Sequence, residues 1–170
     1  MIDTQGDKAI DSLPKKIKQN ERSVAEILAA NMRKMIISER PNNPAYFDKM
    51  SDLLNHLLQE QKDGKIQYKE LIKKLIEKLK EARSTIKTKY PATIDTKGKQ
   101  ALYDNLGKDE TLALRVHETI KANARDGFRD MDSSGLKKMK ALRRAVERVL
   151  QGVEVNIDDI MQLIVAQREY

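Results

Sequence analysis

Residues 43–58, NPAYFDKMSDLLNHLL, decide how the rest of the chain is read. Tyr46, Phe47, Met50, Leu53, Leu54, Leu57 and Leu58 recur at steps of three and four, which lines them up on one stripe of an α-helix. Asn43 is a good N-cap, because its short side chain accepts a hydrogen bond from an amide of the first turn. Pro44 fits the first helical position, where a missing N–H leaves nothing unpaired. The stripe mixes aromatic bulk with branched aliphatics. It therefore predicts the central core helix of the domain, with Tyr46, Phe47, Met50, Leu53, Leu54 and Leu57 in the core.

Upstream, Ser23 and Glu26 have capping-box spacing, and Val24, Ile27, Leu28, Met32, Met35 and Ile36 continue an apolar face, predicting a helix from about 23 to 38. Before it, Ile10, Leu13 and Ile17 form a weak leading segment that Pro14 interrupts. Between the two helices ERPNNP, residues 39–44, reads as a sharp connection. Downstream, Asp63-Gly64 marks a stop. A long periodic segment follows, with Tyr68, Leu71, Ile72, Leu75, Ile76, Leu79, Ala82 and Ile86, and the short linker predicts antiparallel pairing with its predecessor. Tyr90-Pro91 ends it, since a residue before proline is pushed out of the helical region.

The second half reads as four shorter helices. Thr96 caps one with Ala101, Leu102, Tyr103 and Leu106, closed by Gly107. Asp109 caps the next, with Leu112, Ala113, Val116 and Ile120 inward. Ser133 or Ser134 opens another, with Leu136, Met139, Leu142, Val146, Val149 and Leu150 inward, and Gly152 breaks it. Asn156 caps the last, with Ile157, Ile160, Met161, Ile164 and Val165 inward. No stretch reads as a good strand. The expected fold is all-α: a bundle of six to seven helices in one domain, with sub-bundles of about 1–90 and 91–170 joined near Pro91.

Composition agrees with long solvated helices: 35% of the 170 residues are charged, 4% aromatic, and Trp and Cys are absent. Without Cys there is no disulfide scaffold and no thiolate zinc site, which suits a reducing cytoplasm. No apolar run approaches the roughly 18 residues that a membrane span requires, and no signal peptide opens the chain, so a soluble, cytoplasmic protein is expected. A formal net charge of +7 suits a nucleic-acid partner or an acidic protein surface.

Catalytic motifs are missing from the sequence. There is no G-x-x-x-x-G-K-[ST] phosphate loop, no G-x-S-x-G elbow and no H-E-x-x-H pair. His56 and His117 stand alone and read as structural or solvated residues. Asp104, Asp109, Glu110, Asp158 and Asp159 flank helix ends, where capping and the helix dipole favour them. No catalytic residue, metal site or cofactor is assigned to this chain. Two basic stretches remain. Residues 65–89 hold Lys73, Lys74 and Lys78 among other cations, opposed by Glu70, Glu77 and Glu81. Residues 137–148 hold Lys137, Lys138, Lys140, Arg143, Arg144 and Arg148 against one acid, Glu147. Lys137, Lys140, Arg144 and Arg148 fall three and four apart and share a ridge that could track a phosphate backbone. The competing reading of both stretches is a solvated face with local ion pairs, such as Glu70–Lys74 and Glu77–Lys80.

Six segments, taken in order, carry a resemblance: IDSLPKKIKQN, AANMRKMIISERPNNPAYFDKMSDLL, IQYKEL, ALYDNLGKDETLAL, DGFRD and AQREY. Together they are spread over nearly the whole chain, from residue 10 to residue 170, and it resembles the C-terminal helical region of the restriction (motor and endonuclease) subunit of type I restriction-modification enzymes. Phe128 stands where that family is expected to have tryptophan. The resemblance implies a piece of a longer subunit whose other domains cleave DNA and translocate it with ATP and Mg²⁺. It implies that this region docks the subunit onto the methyltransferase core, its modification and specificity subunits, and it leaves DNA contact open as a second role. None of the family's catalytic motifs matches a position here. The alternative expectation is an independent basic helical DNA-binding or adaptor protein.

Overall fold

The structure is a computed structural model that describes residues 20–83 and 90–170. The leading segment with Ile10, Leu13, Pro14 and Ile17, and Ile86 in the long periodic segment, lie outside the described residues. The described residues form seven α-helices and one 3₁₀ turn, and none is in a strand. The fold is all-α. The helices are α1 (Glu21–Glu39), α2 (Pro44–Lys62), α3 (Tyr68–Arg83), α4 (Lys97–Asn105), α5 (Glu110–Asn123), α6 (Ser133–Val149) and α7 (Ile157–Ala166), and the 3₁₀ turn is Arg40–Asn42.

Helix ends follow local chemistry. Asn43 Oδ1 accepts from the Tyr46 amide at 3.3 Å, and Pro44 takes the first position of α2. At the other end Gly64 has φ +74, and the Lys65 amide reaches back to the Glu60 carbonyl at 2.8 Å, a Schellman closure. Thr96, Asp109 and Asn156 cap α4, α5 and α7 as their residue types predict. Two starts differ from expectation. Asn20 rather than Ser23 opens α1, its Oδ1 accepting from the Ser23 amide at 3.3 Å. Asp132 rather than a serine caps α6, accepting from the Gly135 amide at 2.6 Å.

The chain divides into two compact units. The first comprises residues 20–39 and 47–83. Its core faces are Val24, Ala25, Leu28, Ala29, Met32 and Ile36 on α1, Phe47, Met50, Leu54 and Leu57 on α2, and Leu71, Leu75 and Leu79 on α3. The closest helix pair is α1 with α3, not the expected α2 with α3. Side-chain size accounts for this: Ala25 and Ala29 let the backbone of α1 approach a neighbour, whereas Phe47, Met50, Leu54 and Leu57 hold α2 further off. Leu53 lies at the margin of the α2 stripe and Tyr46 is only half-buried, so neither belongs to the innermost core.

The second unit comprises residues 40–46 and 90–170. It therefore takes in residues 40–44 of the connection between α1 and α2 as well as the chain beyond Pro91. Helix α5 packs against both α4 and α6, and α7 against α4 and the 3₁₀ turn. Ile94, Leu102, Val116, Ile120, Leu142, Val146, Leu163 and Ile164 fill the space between them. Two expected core residues point outward instead: Leu136 is 56% exposed and Val165 39%. At the head of α6 the buried position is Gly135, where an added Cβ would collide with the Asp130 carbonyl. That close backbone approach leaves no room for a side chain and turns Leu136 away. Met131 and Leu136, both exposed, stand on either side of the Asp132 cap at the spacing of a hydrophobic staple. Among the described residues no helix is long and apolar enough to cross a membrane.

Candidate functional site

Helix α6 buries Gly135, Leu142 and Val146 on one side. Lys137, Lys140, Arg144 and Arg148 lie close to half a turn away at about 100° per residue, and all four are exposed. Ala141, also exposed, lies at the edge of this ridge. None of the four cations has a carboxylate within ion-pair distance among the described residues. Arg143 differs from them: its Nε meets Glu147 at 2.8 Å and its Nη1 meets Asp158 of α7. Hydrogen bonds to Asp158 and then Glu147 hold that guanidinium above its ordinary range. Lys138 is engaged too, donating to the Asp126 carbonyl at 2.7 Å. Of the five α6 cations singled out as contacts, four lie on one line with no carboxylate partner among the described residues, and Arg143 ties α6 to α7.

The α3 cations belong to the first unit and are arranged differently. Lys74 pairs with Glu70 at 3.0 Å and Lys78 with Glu81 at 2.7 Å, both half-buried, while Lys73 is exposed. Here the solvated, ion-paired reading describes two of the three.

A polar cluster inside the second unit has no counterpart in the sequence reading. Asn43 Nδ2 and the Tyr90 hydroxyl both donate to Asp104 Oδ2, at 2.8 and 2.7 Å. Asn105 donates to Asn43 Oδ1 at 2.9 Å and accepts from the Ala45 amide at 3.3 Å. Gln167 donates to the Asn42 carbonyl at 2.6 Å. Arg129 donates to the Val165 and Gln167 carbonyls at the end of α7, where a cation complements the helix dipole, and its guanidinium lies 4.2 Å above the Phe128 ring. Glu169 accepts from Thr96 Oγ1 and the Gly98 amide, both at 2.9 Å, placing negative charge at the start of α4. His117, 5% exposed, shares a hydrogen with the Tyr170 hydroxyl at 2.8 Å and lies 3.9 Å from Glu169.

Burial sets the titration of this cluster. It lowers the His117 imidazole below 6.5, the nearby Lys99 and Lys121 acting the same way against Glu169 and Glu118. It raises the Tyr170 hydroxyl. Tyr90 is raised by burial and by its hydrogen bond to Asp104. These groups are therefore neutral hydrogen-bonding partners near pH 7. Among the described residues no buried side-chain nitrogen or oxygen lacks a partner, and no three His, Cys, Asp or Glu side chains gather as a metal set. The polar groups join chain segments together. His56, by contrast, is exposed on α2, 3.5 Å from Glu60.

Compared with protein-family models, curated proteins and solved structures, the chain matches none.

Sequence reasoning missed the cluster for a definable reason. Its bonds join residues 14 to 125 positions apart, and such pairs leave no periodic trace. One signal was available: Asn42-Asn43, Tyr103–Asn105, Phe128-Arg129 and Gln167–Tyr170 all lie in segments that carry the resemblance, and four such segments meet here. Asp104, expected to favour a helix end, instead joins Asn43 to Tyr90.

Proposed function

We propose that this chain is a non-catalytic helical assembly module, of the kind in the restriction subunit of type I restriction-modification enzymes, which docks that subunit onto its methyltransferase core. The observation that carries the reading is the meeting of four resembling segments in one hydrogen-bonded cluster. Stretches that are individually unremarkable have a joint structural task, which supports treating them as one pattern. Because their polar side chains are engaged with one another, the functional surface is sought outside the cluster, on charged helix faces. ATP and Mg²⁺ belong, on this reading, to other domains of the parent subunit.

The test is capture by an immobilised methyltransferase core assembled from modification and specificity subunits. Retention of the 170-residue chain at low salt, released as salt rises, is the expected result. No retention at low salt overturns the reading. If docking fails while duplex DNA is still bound, the chain is an independent basic helical DNA-binding protein.

A further inference from the structure

We infer that the outer ridge of α6 is a track for the phosphate backbone of duplex nucleic acid, formed by Lys137, Lys140, Arg144 and Arg148 and not by Arg143. The inference goes beyond docking and does not depend on it. Three observations carry it. The four cations are exposed and lie on one line, opposite the face that α6 buries. No described carboxylate lies within ion-pair distance of them, whereas Arg143 pairs with both Glu147 and Asp158. Ala141, exposed and small, flanks the line, so on that side no bulky side chain stands between a ligand and the charges.

Dimensions fit the ligand. From residue 137 to residue 148 the helix rises about 16 Å at roughly 1.5 Å per residue. One strand of a duplex presents a phosphate about every 3.4 Å of axis, so about five phosphates lie along that length. The ridge carries neither an aromatic platform for unstacked bases nor an Asn or Gln to read a base edge. Contact to backbone, tolerant of sequence, is what these side chains can make. An acidic protein surface is the competing ligand, but protein contacts draw most of their energy from buried aromatic or apolar anchors, and this line contains none.

The experiment is a salt titration of binding between the full chain and labelled duplexes of two unrelated sequences. Four phosphate contacts predict a slope of log K on log salt near −3.6, with affinity falling about a hundredfold between about 50 and 200 mM salt, equally for both duplexes. Each single Gln substitution on the ridge should reduce the slope by about 0.9. The quadruple variant K137Q/K140Q/R144Q/R148Q should lose nearly all of it while keeping its helical circular dichroism, since all four side chains are solvent-exposed. R143Q should leave the slope unchanged. A slope that survives the quadruple variant overturns the inference, as does a slope reduced by R143Q as much as by R144Q. Poly-glutamate bound as tightly as duplex would also overturn it and assign the ridge to an acidic protein.

Discussion

The two units of this molecule are assembled by different means. In the first, the ion pairs Arg22–Glu26, Glu70–Lys74 and Lys78–Glu81 each lie within a single helix, three or four residues apart, and the helices meet through apolar faces. In the second, an apolar core of similar character is overlaid by hydrogen bonds that join Asn42, Asn43, Asp104, Asn105, Arg129, Gln167 and Glu169 across distant parts of the chain. Apolar faces are non-directional and tolerate sliding; hydrogen bonds to buried or half-buried groups fix which segments meet and at what register. Among the described residues the second unit is thus the one whose segments are tied by directional bonds, and it also carries the ridge that no described carboxylate pairs with.

Matched cavities should affect both units alike. Leu75 in the first and Leu142 in the second are fully buried, and Leu→Ala at either should cost about 2–5 kcal/mol. Chemical denaturation with hydrogen exchange checks this: L75A should speed exchange in α1 and α3, and L142A in α5 and α6. Exchange unchanged within the mutated unit would contradict the core assignment.

Matched polar deletions should separate the units. Asp104→Ala leaves Asn43 Nδ2 and the Tyr90 hydroxyl without their acceptor, and about 1–3 kcal/mol should be lost. Denaturant midpoints measure it, and a D104A variant as stable as the parent would show that the cluster does not hold the unit.

Acid should weaken the second unit's polar cluster. Burial lowers the His117 imidazole below 6.5, so the unfolded chain takes up this proton at a higher pH than the folded one does. Its contribution is fully present above the unfolded value and is lost as pH falls from there through the lower, folded value. Stability measured across that window should fall for the parent and fall less for H117Q; coincident profiles would remove His117 from the account. The smallest effect belongs to the first unit: Glu70→Ala should cost about 0.2–0.5 kcal/mol, and less at high salt.

Legibility in the sequence follows the same division. The stripe of α2, the caps Asn43, Thr96, Asp109 and Asn156, and the glycine closures at Gly64 and Gly107 were all readable, because each is decided within one turn of its own position. Gly107 and Lys108 both adopt positive φ, and the Lys108 amide closes α4 on the Tyr103 carbonyl. Which helices pack closest was not readable, because periodicity marks the face a helix buries and not the helix that face meets. Leu136 misled because periodicity cannot register that the Asp130 carbonyl occupies the slot beneath the first turn of α6. The ridge was half legible. Spacing placed Lys137, Lys140, Arg144 and Arg148 together, but only the structure separates them from Arg143 by giving that residue two carboxylates.

The central claim is a division of labour within the second unit, with inner polar groups holding the fold and the outer cations of α6 meeting a ligand. Its most direct test is one crossed measurement of thermal midpoint and DNA salt slope on D104A and R144A. The account predicts that D104A melts lower with its slope intact, while R144A melts like the parent with its slope reduced by about 0.9. Both variants losing both properties together, or R144A losing only stability, would contradict it.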